Sequence, residues 1–398
     1  MNQAGETVAI IGGGPSGLIA AERLAEHGVA VEVFERMPSV GRKLLLAGRG
    51  GLNLTHSEPL PALLRRYGPA EAALSPALLA WPPDAVRAWC AALGQPTFIG
   101  SSGRVFPAAF KATPLLRAWL RRLSGQGVRI HTRKHWLGWD ENGSLRFADG
   151  HAFRPAATIL AMGGASWPRL GSDGGWVPEL RCQGVDVHEL RAANAGVLHP
   201  WSDSFQARFQ GQPLKRVGAE CGGEGVRGEA MVTASGLEGG VAYALSRAIR
   251  AALDATGSAV LTLDLRPDLD AATLSQRLGG RGQSMANALR RAGLSPAASG
   301  LVRELNEDAP LVQRVKAARL SIVGMAGLDR AISSAGGIAL SGLDRHGMLT
   351  ARPGVFAAGE MLDWEAPTGG YLLQAAFSTG RFAADGVVEW LRHGVRPG

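Results

Sequence analysis

Gly12-x-Gly14-x-x-Gly17 stands directly after a short apolar, β-branched run, Thr7 to Ile11, and directly before a helical pattern. An acid, Glu35, follows 23 residues after Gly12. In that setting the first glycine permits a tight turn, the second lets a pyrophosphate approach the backbone, and the third lets helix and strand pack closely. The helix N-terminus offers free N–H groups and a positive dipole end to phosphates. Glu35 suits ribose hydroxyls. Arg42 and Lys43 come just after the strand bearing Glu35, where a cation meets phosphate or the N1–O2 edge of a flavin. A second group lies near the other end of the chain. Gly359-Glu360 follows a buried strand, as needed for a carboxylate reaching the ribityl or pyrophosphate region, and Thr368-Gly369-Gly370-Tyr371 opens a helix. That helix start is a suitable place for the flavin N1–C2=O edge, where negative charge accumulates on reduction.

The elements that must position these residues are legible in outline. Strands are expected at Thr7 to Ile11, Ala30 to Phe34, Ala156 to Ala161 (running into Gly163-Gly164) and Gly354 to Ala358. Helices are expected from Leu18 to His27, closed by Gly28, and from Leu372 to about Arg392. Between Ala192 and Arg266 short strand-like pieces alternate with glycine clusters, and Leu269 to Val315 reads as helical. The pattern predicts a nucleotide-binding domain made from both ends of the chain, 1–190 with 331–398. It also predicts a β-rich insertion, 191–266 with 319–330, and a helical insertion, 267–318.

At this point the chain resembles the BaiN-like flavoproteins, NAD(P)/FAD-dependent oxidoreductases that include a ribosomal-RNA dihydrouridine synthase. The resemblance is carried by IIGGGPSGL (Ile10 to Leu18), GRKLLLAGRGGLNLTH (Gly41 to His56), GRVFPAAFKA (Gly103 to Ala112), AMGGASWPRLGSDGG (Ala161 to Gly175), SSAGGI (Ser333 to Ile338) and AAGEMLDWEAPTGGYLLQAAFSTG (Ala357 to Gly380). It implies an α/β fold: a Rossmann-like, glutathione-reductase-like FAD-binding domain with inserted β-barrel-like and helical modules. It also implies that Gly12, Gly14, Ser16, Gly17, Glu35, Arg36, Arg42, Lys43, Gly164, Gly359, Glu360, Asp363, Gly370 and Leu373 contact FAD. Pro15, Gly163, Gly369 and Tyr371 join them as neighbours within the same turns. One departure stands out: where many members carry a Cys in a GRCN-like stretch, this chain has Gly51-Leu52-Asn53, and leucine cannot donate a proton.

Absences narrow the chemistry. The sequence shows no second GxGxxG in a strand context, so NAD(P)H, if it is the donor, docks transiently rather than in a domain of its own. Cys90, Cys182 and Cys221 form no CxxC pair, which argues against thiol–disulfide chemistry and fits a reducing cytoplasm. The histidines show no metal spacing, so no metal site is expected, and they read as surface or loop residues. No uncharged run reaches the roughly 18 residues of a membrane span.

The 398 residues carry a formal charge of +8. Residues 61–135 hold eleven basic side chains against two acids, Glu71 and Asp84, a local excess of +9. Trp81, Trp89, Trp119 and Trp136 lie within or beside that stretch, and a basic surface with aromatics suits structured RNA through phosphate contacts and base stacking. The competing reading of LLRAWLRRL is a helix with an arginine face and its tryptophan in the core.

Three functions therefore stand as expectations. The first is an FAD-dependent, NAD(P)H-driven reductase of an activated C=C bond, with uridine in ribosomal RNA (dihydrouridine formation) as the preferred substrate. The second is the same chemistry on a small apolar enone or quinone. The third is a non-catalytic, FAD-bound RNA-binding protein. Lys43, Asn53 and Asp363 are the catalytic candidates, and His56, Glu360 and Tyr371 are also chemically able to donate a proton.

Overall fold

The computed structural model describes residues 7–279, 284–305 and 308–393. The chain divides into two compact units, one built from the residues up to Arg191 together with those from Ser333 onward, the other from Ala192–Ile332.

The first unit is organised by a parallel sheet. Among its elements are β1 (Thr7–Ile11), α1 (Pro15–Glu26), β2 (Ala30–Glu35), α2 (Arg42–Ala47), α3 (Ala112–Gly125), β3 (Arg129–Thr132), β4 (Ala157–Leu160), β5 (Ser333–Ile338), β6 (Val355–Ala357) and α4 (Tyr371–His393). The strand order is β6-β4-β1-β2-β3, with Ile10 opposite Ile159 on one side and Val33 on the other. Apolar runs such as TVAII and ATIL form strands here because both sheet faces are covered. The order reverses at β1, which opens a crevice beyond its carboxyl end, the usual ligand position in such sheets.

Helix α1 starts at Pro15, three residues before the expected Leu18. Proline's fixed φ and missing N–H suit the first helical position, and Leu18 N–H already donates to Gly14 O at 2.9 Å. Helix α4 packs across α1 where Gly380 replaces a side chain; a Cβ there would lie 2.4 Å from the Ser16 carbonyl oxygen.

The tryptophans of the basic stretch are core residues. Trp81, Trp89 and Trp119 join Val8, Ile10, Leu18 and Phe377 in the main apolar cluster, and Trp136 is buried in a second one. Trp89 stands edge-on to Trp119 at 4.8 Å. This corrects the expectation that they stack on bases, because their faces are spent on packing.

In the second unit a seven-stranded antiparallel sheet runs in the order 318–322, 259–264, 213–221, 224–233, 236–238, 197–198, 324–325. Its two edge strands, 318–322 and 324–325, are neighbours in sequence, separated by Val323 alone. Helices Ala271–Leu278, Met285–Arg291, Pro296–Glu304 and Leu311–Lys316 contribute Leu274, Leu289, Leu301 and Val315 to its core. No helix among the described residues is long and apolar enough to cross a membrane.

Candidate FAD-binding site

The glycine turn divides its labour as the chemistry demands. Gly12 has φ +110°, and a Cβ on it would sit 2.3 Å from the Ala161 carbonyl oxygen; one on Gly17 would sit 2.0 Å from the Gly12 oxygen. These two glycines are required by the fold. Gly14 has φ −82°, and a Cβ on it would have no neighbour within 4 Å. Its missing side chain leaves backbone open toward the crevice.

Around that opening the loops leaving β1, β2, β4 and β6 converge. Glu35, at the end of β2, accepts from Gly13 N–H through Oε2 and from Met37 N–H through Oε1, both at 2.8 Å. A carboxylate has about four acceptor sites, so capacity remains for ribose hydroxyls. Arg36 reaches Asp173 at 2.7 Å, Arg42 makes a long 3.4 Å contact with Ser39 Oγ, and Pro15 occupies the first helical position. Lys43, on α2, donates to Glu360 Oε2 at 2.6 Å and to Ser166 Oγ, while Glu360 Oε1 accepts from Ser334 N–H at 2.9 Å. Gly163, Gly359, Gly369 and Gly370 all have positive φ. A Cβ on Gly164 would strike Ser334 Oγ at 2.4 Å, one on Gly359 would strike Ser16, and one on Gly370 would strike the Thr55 carbonyl.

Unsatisfied polar atoms test whether FAD fits. Buried polar groups are nearly always hydrogen-bonded, yet Ser16 Oγ, Arg36 Nε, Arg42 Nε, Ser172 Oγ and Asn53 Oδ1 are buried without a partner. Ser172 Oγ lies beside Gly163, and Arg36 Nε beside Gly171. Donors and hydroxyls left open around a glycine turn are what an anionic dinucleotide would satisfy, so the residues present fit FAD.

The remaining expected residues sit as follows. Tyr371 opens α4, its ring stacked on His56 at 5.3 Å. Burial first, then the neighbouring Glu58, push its phenol up, so it stays protonated. Glu58 moves the other way: burial opposes ionisation, but hydrogen bonds from Arg66 and Tyr371 prevail and its carboxyl lies low. His56 Nδ1 accepts from Glu58 N–H at 3.1 Å, which leaves Nε2 to donate to Ser102 O at 3.0 Å, so both nitrogens are committed. Leu373 is half-buried against the main core, and Leu52 is fully buried within it, so position 52 is a packing position here. Asn53 lies between the buried Leu52 and Leu54. Asp363 turns to His188, whose Nδ1 it meets at 2.6 Å.

Ser166, Ser172, Ser334, Glu58, Arg66 and His188 escaped the sequence reading as site residues. Three of those, Ser166, Ser172 and Ser334, fall inside the quoted blocks, where serine beside paired glycines was the available signal; the other three had none. Two histidines also differ from expectation: His56, its side chain 16% exposed, lies in the short strand Thr55–His56, and His131 lies in β3, stacked on Phe34 and paired with Glu32 at 2.9 Å.

The basic stretch is partly neutralised by folding. Arg66, Arg87, Arg122, Arg129 and Lys134 pair with Glu58, Asp84, Glu22, Glu32 and Asp149, four of which lie outside residues 61–135. Arg65, Arg104, Arg117, Arg121 and Arg133 remain exposed. On the same hairpin as Arg104, Phe106 lies 5.7 Å from the ring of Phe98 (42% exposed) and 5.0 Å from that of Phe110 (38%), which are 6.2 Å apart.

The family model described as "HI0933-like protein Rossmann domain" matches residues 6–386. The 3-dehydro-bile acid delta(4,6)-reductase of Clostridium scindens is 28% identical over 411 aligned residues, covering 96% of this chain and 99% of that protein. The ribosomal RNA dihydrouridine synthase of Haemophilus influenzae is 44% identical over 62 residues, 16% of this chain and 15% of that protein. Among solved structures, 3-ketosteroid delta1-dehydrogenase from Sterolibacterium denitrificans superposes with TM-score 0.54 at 12% identity, covering 96% of this chain and 100% of that one. The open conformation of a flavocytochrome c3 fumarate reductase gives TM-score 0.53 at 15% identity, covering 98% and 79%. These two likenesses establish a shared fold.

Proposed function

The chain belongs to the HI0933-like family of Rossmann flavoproteins, and from that premise we propose that it is an FAD-dependent, NAD(P)H-driven reductase of a C=C bond conjugated to a carbonyl, acting on a small, largely apolar enone. The observation that carries this reading is the end-to-end similarity to a delta(4,6)-reductase of a 3-dehydro-bile acid, a name that describes ring double bonds beside a ketone. The convergence of open polar groups on the glycine turn supports it.

When bound, FAD supplies a carrier for two electrons as hydride. This chain's residues do the rest. Glu35 holds ribose hydroxyls, and Ser16, Arg36, Arg42 and Ser172 take up phosphate oxygens. The Lys43–Glu360 pair braces α2 against the segment after β6. The N-terminus of α4, which opens at Tyr371, would offer its first N–H groups to the flavin. Orientation and charge compensation account for the protein's share in cofactor enzymes.

The test is direct. The purified protein should be yellow, bleach anaerobically with NADH or NADPH, and regain its colour on adding a conjugated cyclic enone. A protein that bleaches but is not reoxidised by any enone would remove this reading; one that never bleaches would remove the nicotinamide donor.

A second reading, uridine in RNA, is favoured by the exposed Phe98–Phe106–Phe110 ledge at the hairpin that carries Arg104, since aromatic faces with nearby cations suit single-stranded bases and phosphates. It predicts RNA binding that weakens steeply with salt and dihydrouridine in the product, neither of which the enone reading requires.

A further inference from the structure

His188 and Asp363 reach one another from distant parts of the chain, and each is anchored independently. Asp363 ends the short segment leaving β6; its N–H donates to Ile338 O at 2.9 Å, and Leu362 bridges Ile338 in parallel. Three residues earlier on that segment, Glu360 grips Lys43. His188 lies on the strand Val187–Ala193, which pairs with β5, and β5 supplies the Ser334 N–H that Glu360 accepts. One strand and one short segment therefore tie the His188–Asp363 pair to the Lys43–Glu360 corner of the cofactor site.

The imidazole Nδ1 donates to Asp363 Oδ2 at 2.6 Å. Its Nε2 has Asp186 Oδ2 at 3.9 Å, too far for a hydrogen bond, and the His188 side chain is 56% exposed. A carboxylate hydrogen-bonded to one ring nitrogen and a second nitrogen that is exposed and makes no hydrogen bond is the arrangement of a general acid. The other proton carriers near the site are committed: both nitrogens of His56 are in use, and the Tyr371 phenol is held by Glu58 and Arg66.

We propose that His188 donates the proton that completes the reduction, with Asp363 as its positioning residue. This rests on the conjugated C=C reading above. Hydride adds to the carbon β to the carbonyl as the C=C π bond breaks, and the protonated imidazole gives its Nε2 proton to the α carbon. Two C–H bonds form as the π bond is lost; bound FAD would supply the hydride, its two electrons drawn from NAD(P)H, and the neutral imidazole recovers from solvent the one proton the reduction consumes.

The experiment uses the FAD-loaded protein with 4-androstene-3,17-dione as the enone and its ring-saturated diketone as an unreactive ligand. Without turnover, the diketone should protect His188 from diethyl pyrocarbonate, read by mass spectrometry. In stopped flow, His188→Gln should retain FAD and bleach with NAD(P)H as wild type does. Its reoxidation by the enone should slow by about 10²–10⁴-fold and lose whatever fall-off with rising pH the wild-type rate has. Asp363→Asn should fall between the two. Equal labelling with and without the diketone overturns the proposal, as does a His188→Gln protein with wild-type reoxidation and pH profile. A wild type that the enone cannot reoxidise counts against the C=C reading instead, and the labelling arm still decides His188.

Discussion

The Lys43 ammonium and the Glu360 carboxylate, 317 positions apart in sequence, meet at 2.6 Å. Their contact clamps the helix after β2 to the segment after β6 across the mouth of the crevice, and both side chains are only partly exposed, 27% and 18%. Lys43→Met leaves Glu360 with Ser334 N–H and Ser166 alone. A half-buried, charge-assisted contact contributes about 1.4 kcal/mol, a factor of about ten. FAD affinity should fall by that order, measured by fluorescence titration of the apoprotein; an unchanged affinity would separate the pair from the cofactor.

The glycine turn allows a paired test of fold against ligand. Gly12→Ala forces a Cβ into the Ala161 carbonyl at a positive φ and should unfold or strongly destabilise the protein. Gly14→Ala meets nothing in the protein. Its apoprotein should keep the melting temperature of the wild-type apoprotein while losing FAD binding, and comparable melting losses in both variant apoproteins would contradict the assignment.

Trp119 is fully buried and packs edge-on against Trp89. Trp119→Ala should cost about 3–5 kcal/mol of stability by chemical denaturation. Affinity of the remaining folded protein for RNA should not change, whereas Phe98→Ala should lower whatever RNA affinity exists. A Trp119 effect on RNA at constant stability would restore the stacking role that burial removes.

Glu58 predicts the acid limb of stability. Burial raises its carboxyl and the Arg66 and Tyr371 contacts lower it further than that, so the net direction is down from 4.5. A lowered folded value favours the ionised form in the native state, so the stabilisation is present above 4.5 and is lost as pH falls through the folded value. Because Arg66 is half-exposed, the effect is on the order of 0.2–1 kcal/mol. Melting curves of Glu58→Gln should decline less steeply than wild type below the carboxylate range; parallel declines would count against the contact.

Sequence alone determined whatever depends on neighbouring residues. The β1 run, the glycine turn and Glu35 fall within one βαβ unit, where spacing by itself dictates tight turn, open backbone and acid at the strand end. The TGGY helix start is local in the same way. Tertiary structure decided what depends on which distant surfaces meet. The excess of +9 in residues 61–135 reads as a docking surface until Glu22, Glu32, Glu58 and Asp149 arrive from elsewhere to pair with it. The tryptophans read as stacking platforms until α1 and α4 close over them. Serines 166, 172 and 334, and the His188–Asp363 contact, acquire meaning only when loops from separate strands converge at one sheet edge, because the energy of a polar contact depends on its partner and its burial, and neither is written in a residue's sequence neighbours.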